Sequence, residues 1–493
     1  MRNLKQETDQ ALKNAKEAFP FYKIASGKTK ATFLRIIAEE IDLLGDRLIE
    51  TVMKETFLPE ARVRGEKGRT TGQLNKFADL LEEGSWVEAI IDTGDPLRLP
   101  APKPDLRKML IPLGPVVIFG AGNFPLAFSV AGGDTASALA GGNPVIVKGH
   151  PAHPETGKMV AEAIKIAAQK ANFPEGVFEL IQDDGIEAGK MLVAHPDTKA
   201  VGFTGSYPGG KALTELAAQR PEPIPVFAEM GSINPVVILE GALKHQATSI
   251  AEKLVASVNL NAGQFCTNPG LIITTQTEGF DLFIKETARQ VSSSSGSRMF
   301  SEGVLRNYRL NSGKMLEYSA IKLIEEGSEA PGSPAVGPMI AMVAATDFMD
   351  HPALHEEVFG PFSLIVVCDS AEQMKQVIAS LKGQLTATIF SDRDDNGNKQ
   401  KEITSALLEK CGRLLFNGVP TGVEVCAAMQ HGGPYPASSD SRFTSVGVSA
   451  IKRFVRPVSF QDFPENALPD ELKNNNPLNI WRFTNNQWTK DKI

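Results

Sequence analysis

GPVVIFGAGNFPLAFSVAGGDTASALAGGNPVIVKGH, residues 114–150, decides the fold class. GPVVIFG (114–120) is a short β-branched run that reads as a strand, SVAGGDTASALAG (129–141) as a helix of small residues that lets neighbours approach closely, and PVIVK (144–148) as the next strand. Strand, helix, strand within so few residues is the unit of a parallel α/β sheet. Working outward, the unit repeats: a helix near 154–171, then VFELIQ (177–182), AVGFTG (200–205) and PVFAEM (225–230). A second series has strands at LIITT (271–275), SLIVV (363–367), TATIF (386–390) and RLLFN (413–417). Two α/β domains are therefore expected. DPLRLPAPKPDLRKMLIPLG (95–114) and the tail after Val455 resemble no self-contained domain; they read as arms that bridge subunits or domains, or wrap the surface.

The bulk properties narrow the function. A chain of 493 residues exceeds what one core fills, and 42% hydrophobic with 22% charged residues is globular composition. The net charge of -7, without a long Lys/Arg run, leaves no footprint for nucleic acid or an anionic membrane. The N-terminal residues are too charged for a signal peptide, and no stretch approaches the ~20 apolar residues that span a bilayer. The expectation is a cytoplasmic protein acting on a small molecule.

The four cysteines are too few and scattered for a disulfide framework or a paired-cysteine metal site. Cys368 and Cys411 read as buried or helix-end thiols. Cys266 differs, because NAGQFCTNPG (261–270) places it on a loop between a helical run and an apolar strand. A reactive thiol needs access and help in ionising, since free cysteine has a pKa of about 8.5; a buried inert thiol is the competing reading. Glu229 ends the apolar strand of FAEMGSINPVV (227–237), where core packing explains a carboxylate poorly but an ion pair or cap would explain it. Asn123 follows a Gly-Ala-Gly turn and precedes a helix, so its amide either enters a crevice or caps the helix.

GNFPLAF (122–128), VIVKGHP (145–151), GFTGSYPGG (202–210), AEMGSINP (228–235), GQFCT (263–267) and EEVFGPF (356–362) occur in this order, and together they resemble the aldehyde dehydrogenase superfamily over almost the whole chain. The fold this resemblance implies is aldehyde dehydrogenase-like. A Rossmann-type cofactor domain would span 1–95 and 113–228, an α/β catalytic domain 229–450, and a small bridging or oligomerisation arm 96–112 and 451–493. Within the superfamily, residues 114–150 and 414–447 look like the 2,5-dioxovalerate (α-ketoglutaric semialdehyde) dehydrogenases, and certain NADP-linked medium- or long-chain fatty aldehyde dehydrogenases share those features. A scaffold protein on a dehydrogenase fold is the non-enzymatic alternative, and it would be expected to have lost Cys266, Glu229 or Asn123. Esterase activity through the same thiol is a possible side reaction.

The resemblance makes Cys266 the nucleophile, Glu229 the base that activates water against the thioester, and the Asn123 amide with the Cys266 backbone N–H the oxyanion donors. It gives the cofactor Gly205, Ser206 and Gly210 at the pyrophosphate, Lys148 at the adenine ribose, and Glu357 and Phe359 at the nicotinamide end. Pro151 stands where NAD-preferring relatives carry a glutamate, and Ile186 where an arginine would grip a 2′-phosphate, so both NAD and NADP are expected, with a lean to NADP. His431 in MQHGGPYP is expected near the substrate. Arg442 would anchor the carboxylate of a dioxovalerate or form a surface salt bridge, and Phe124, Phe265 and Phe443 would suit either that substrate or an apolar tunnel. No metal is expected: His351 and His355, four residues apart, read as the lead-in to the EEVFGPF loop, and His150 and His153 as loop residues. Relatives imply a homodimer or homotetramer.

Overall fold

The computed structural model describes residues 3–328, 335–395 and 397–493. The opening unit folds as its pattern dictates: strand Val116–Phe119, helix Gly133–Ala140, strand Val145–Gly149. With Phe178–Gln182, Ala200–Thr204 and Val226–Glu229 these strands make an all-parallel five-stranded sheet, in spatial order 178–182, 145–149, 116–119, 200–204, 226–229. Successive side chains go to opposite faces. Val116, Ile118, Val145 and Val147 enter one core, and Val117 and Ile146 another, so both faces of the sheet's centre are covered by apolar packing. Every residue of Gly133–Ala140 is buried, which is why that helix is built of small side chains.

The second series forms a seven-stranded sheet in the order 322–326, 339–344, 362–368, 271–275, 236–238, 384–390, 411–416. Only the 322–326 strand runs antiparallel to its neighbour. The expected strands are present; Val236–Ile238, Lys322–Glu326 and Met339–Ala344 are additions the pattern did not reveal. Cys368 is buried at the end of its strand, and Cys411 opens a strand two residues after a helix cap.

The two arms form one structure. Leu106–Pro112 pairs with Val455–Gln461 along its full length, and Ile90–Asp92 joins Leu106–Pro112 to Arg482–Thr484, giving a separate five-stranded sheet. Before it come four helices, Leu4–Tyr22, Gly27–Leu43, Gly45–Thr56 and Glu60–Glu83. Among the described residues no helix is long and apolar enough to cross a membrane.

Candidate active site

The Glu60–Glu83 helix fixes one wall. Arg62, Glu66, Arg69 and Gln73 follow the spacing of a single helical face. Glu66 Oε1 accepts from the backbone N–H of Leu126 (2.8 Å) and Ala127 (2.9 Å), and Gln73 donates to the Ala127 carbonyl (3.1 Å). These bonds hold the turn that carries Asn123. The Asn123 amide in turn donates to the Gln264 carbonyl at 3.2 Å, reaching the loop that bears Cys266.

That loop is shaped by three consecutive left-handed residues, Asn261 (φ 48°), Ala262 (φ 54°) and Gly263 (φ 62°). A side chain at Gly263 would strike the Gly360–Pro361 backbone, so glycine is required by contact as well as by φ. Beyond it, the Asn234 amide donates to the carbonyls of Cys266 and Asn268, both at 2.9 Å. Gln384 Oε1 accepts from the Ile233 and Asn234 N–H groups and the Ser232 hydroxyl, anchoring the same network from the seven-stranded sheet. The thiol is thus held from both sides.

Glu229 is the last residue of its strand and only 4% exposed. The Ser445 hydroxyl donates to its Oε2, while Oε1 lies 3.1 Å from Nε2 of His431. The same Nε2 is 3.4 Å from Cys266 Sγ. An imidazole therefore bridges thiol and carboxylate. His431, expected near the substrate, is 1% exposed behind that pair and does not line the cleft, because its backbone is bonded to the 444–445 segment.

Burial drives the Cys266 thiol well above the ordinary cysteine value; the Glu229 charge and its hydrogen bond, and then Glu357, push the same way, against Arg69. Burial also pushes the Glu229 carboxyl up, but His431, Ser445 and Cys266 together outweigh it and leave the group below the usual carboxylate range. The resting site is a protonated thiol beside an ionised carboxylate.

Cys266 and Glu229 sit in a cleft of about 1780 Å³ that also takes in Asn123, Phe124, Lys148, Pro151, Ile186, Gly205, Ser206, Glu357 and Phe359. Ser206 caps the Tyr207–Ala218 helix, whose positive dipole end faces the cleft. Gly210 plays a different part: a Cβ there would come within 2.7 Å of Met230, so it serves close packing and lies outside the lining. The Lys148 amine donates to the Asp183 carbonyl at 2.6 Å, and burial lowers its pKa. Glu357 is pushed up to about 8 by burial.

Arg442 does not reach the cleft. Its side chain is 79% exposed, and Asp440 two residues away accepts both its guanidinium and its backbone N–H, so the pair closes on itself. The cations near the sulfur are instead Arg69 and Arg413, whose charges both act on Cys266. Arg69 stacks over Phe128, Arg62 over Phe124 (4.3 Å) and Phe265 (5.6 Å), and the Phe124 and Phe265 rings meet at 5.7 Å. The Nε atoms of Arg69 and Arg413 are buried without partners among the described residues. The Arg-Glu-Arg-Gln spacing in the helix was a readable signal for Arg69; Ser445, one serine among several in its segment, offered none. His351 and His355 bond the carbonyls of Asp347 and Phe348, as a lead-in segment would.

The family model described as Aldehyde dehydrogenase family matches residues 2–439. The chain is 48% identical over 477 residues to alpha-ketoglutaric semialdehyde dehydrogenase 2 of Azospirillum brasilense, covering 97% of this chain and 91% of the relative. It is 45% identical over 487 residues to alpha-ketoglutaric semialdehyde dehydrogenase of Acinetobacter baylyi, covering 98% and 92%. In fold it is similar to glyceraldehyde-3-phosphate dehydrogenase GapN of Methanocaldococcus jannaschii complexed with NADP, at TM-score 0.78 and 20% identity over 93% of this chain and 94% of that one.

Proposed function

The chain belongs to the aldehyde dehydrogenase family, and from that premise we propose that it oxidises 2,5-dioxovalerate (α-ketoglutaric semialdehyde) to 2-oxoglutarate with NAD(P). The observation that carries this reading is the convergence of Cys266, Glu229 and Asn123 at one end of the cleft, in a chain 48% identical to a relative of that name.

The residues divide the work as follows. Cys266, on losing its proton, attacks the aldehyde carbon to give a tetrahedral thiohemiacetal; His431, 3.4 Å from the sulfur, is placed to take that proton. The Asn123 amide and Cys266 N–H stabilise the oxyanion. Glu229, ionised and oriented by Ser445, draws a proton from water as it attacks the resulting thioester. The cleft fits a nicotinamide dinucleotide: Thr204 Oγ1 is buried in its lining without a partner among the described residues, next to the helix start at Ser206. Lys148, Gly205, Ser206, Glu357 and Phe359 would hold that group, which when bound supplies the hydride acceptor. Arg69, which packs on the cleft residue Phe128 without itself being among the residues that line the cleft, is our candidate in place of Arg442 for the anchor of the substrate carboxylate.

Pro151 and Ile186 line the cleft with Lys148, and so does Asp184, whose charge acts on Lys148; with proline rather than glutamate at 151, use of both cofactors with a lean to NADP is the expected outcome. Initial rates at saturating NAD and NADP check this, and strict NAD preference refutes it. For the substrate, catalytic efficiency on 2,5-dioxovalerate is expected to exceed that on a medium-chain aliphatic aldehyde. An aliphatic substrate winning by an order of magnitude would restore the fatty-aldehyde reading. We read the 96–112 and 451–493 segments as oligomer-forming, with a homodimer or homotetramer expected by light scattering; Leu97 and Leu99 stand almost fully exposed there.

A further inference from the structure

The nucleophile and base share their imidazole in a geometry that has a second chemical meaning. Cys266 Sγ, His431 Nε2 and Glu229 Oε1 all lie within 4.8 Å of one another. A tetrahedral zinc ion binds thiolate at about 2.3 Å, imidazole at about 2.0 Å and carboxylate at about 2.0 Å, which sets its ligands about 3.5 Å apart for N and S and about 3.3 Å apart for N and O. The observed separations are 3.4 Å and 3.1 Å. Sulfur, imidazole nitrogen and carboxylate oxygen are also the donor types that borderline-soft divalent ions prefer. We propose that Cys266, His431 and Glu229 form a reversible inhibitory zinc site, with its fourth position open to the cleft.

An entry path exists, because Cys266 and Glu229 both line the cleft. Part of the surrounding support also exists, since the Ser445 hydroxyl already fixes the second oxygen of Glu229. What is missing is an acceptor for the other ring nitrogen: His431 Nδ1 is buried with no partner among the described residues. On zinc binding the thiol loses its proton to solvent, Glu229 binds as the carboxylate, and the neutral ring offers the Nε2 lone pair with its own proton on Nδ1. Such outer partners are worth about 10–100-fold in metal affinity, so this site binds zinc more weakly than a structural one and releases it to chelators. Zinc removes nucleophile and base at once.

The test uses the full chain, with free zinc set by a nitrilotriacetate buffer. Expected are one zinc per chain by chelator competition, loss of aldehyde oxidation over the same concentration range, and full recovery with EDTA. Cobalt(II) in place of zinc should give a thiolate-to-metal charge-transfer band that Cys266→Ser abolishes. His431→Gln and Glu229→Gln should each weaken zinc binding by at least about 10–100-fold. Undiminished binding in folded Cys266→Ser or His431→Gln, or inhibition without the cobalt–thiolate band, overturns the proposal. Should a variant not fold, alkylation of the wild type decides: zinc must protect Cys266 from iodoacetamide, and unprotected alkylation overturns it. Metal binding is read without turnover, so failure of the aldehyde reading would be visible separately.

Discussion

Replacing Arg69 by methionine separates recognition of the substrate's carboxylate from everything else the arginine does. The wild-type guanidinium donates to the Val423 carbonyl at 2.6 Å, stacks 5.5 Å from the Phe128 ring centroid, and leaves a buried Nε without a partner among the described residues. Methionine keeps the apolar stem on Phe128 and removes the charge. A hydrogen bond to a charged group is worth about 1.5–3 kcal/mol, and at about 1.4 kcal/mol per decade this is about 10–100-fold in kcat/KM. The variant also loses the Val423 tether and the pull of Arg69 on the Cys266 thiol, which burden every substrate alike. The informative quantity is therefore the ratio of kcat/KM for 2,5-dioxovalerate to that for pentanal, in wild type and variant. That ratio is expected to fall about 10–100-fold. If it is unchanged, or if it falls only when Arg413 is replaced, Arg69 is not the anchor and the argument from the stacked helix face is wrong.

Glu229→Gln should leave acylation possible and starve hydrolysis: a burst of reduced cofactor, then steady turnover lowered about 10²–10⁴-fold, with full steady-state turnover in folded protein counting against the base assignment. Because the neighbouring negative charge raises the Cys266 pKa, removing it lowers that pKa. The pH profile of iodoacetamide alkylation should then shift to lower pH in Glu229→Gln, and a shift upward would contradict the electrostatics. Glu66→Ala removes the buried partner of Arg62, 2.9 Å away, together with the acceptor for Leu126 and Ala127. Urea unfolding should show a loss of about 3–5 kcal/mol, with Glu66→Gln costing less, and equal losses would argue against the charge pairing.

The parallel sheets were legible because their strands are buried on both faces, so Val116–Phe119 and the 145–147 stretch of Val145–Gly149 appear as apolar runs. Strand Leu106–Pro112 was hidden because its partner is the distant Val455–Gln461, and its burial follows no clean alternation. In the site, Cys266, Glu229 and Asn123 stood in motifs with unusual glycine, proline and polar surroundings. Arg442 misled because a cation in a candidate substrate segment has no sequence mark to show that Asp440 captures it. His431, expected near the substrate, sits behind the Cys266–Glu229 pair instead of in the cleft lining, because which face of a loop a ring takes depends on bonds such as that to Thr444, which form only in the folded chain.

Glu229 ends a strand of the all-parallel five-stranded sheet, while Cys266 belongs to a loop feeding the seven-stranded one, and the 431–445 segment touches both residues. On the proposed roles, the chemistry would belong to neither sheet alone. A polypeptide cut between them would yield two inert halves, each carrying one reagent, and activity would return only when the pieces find each other.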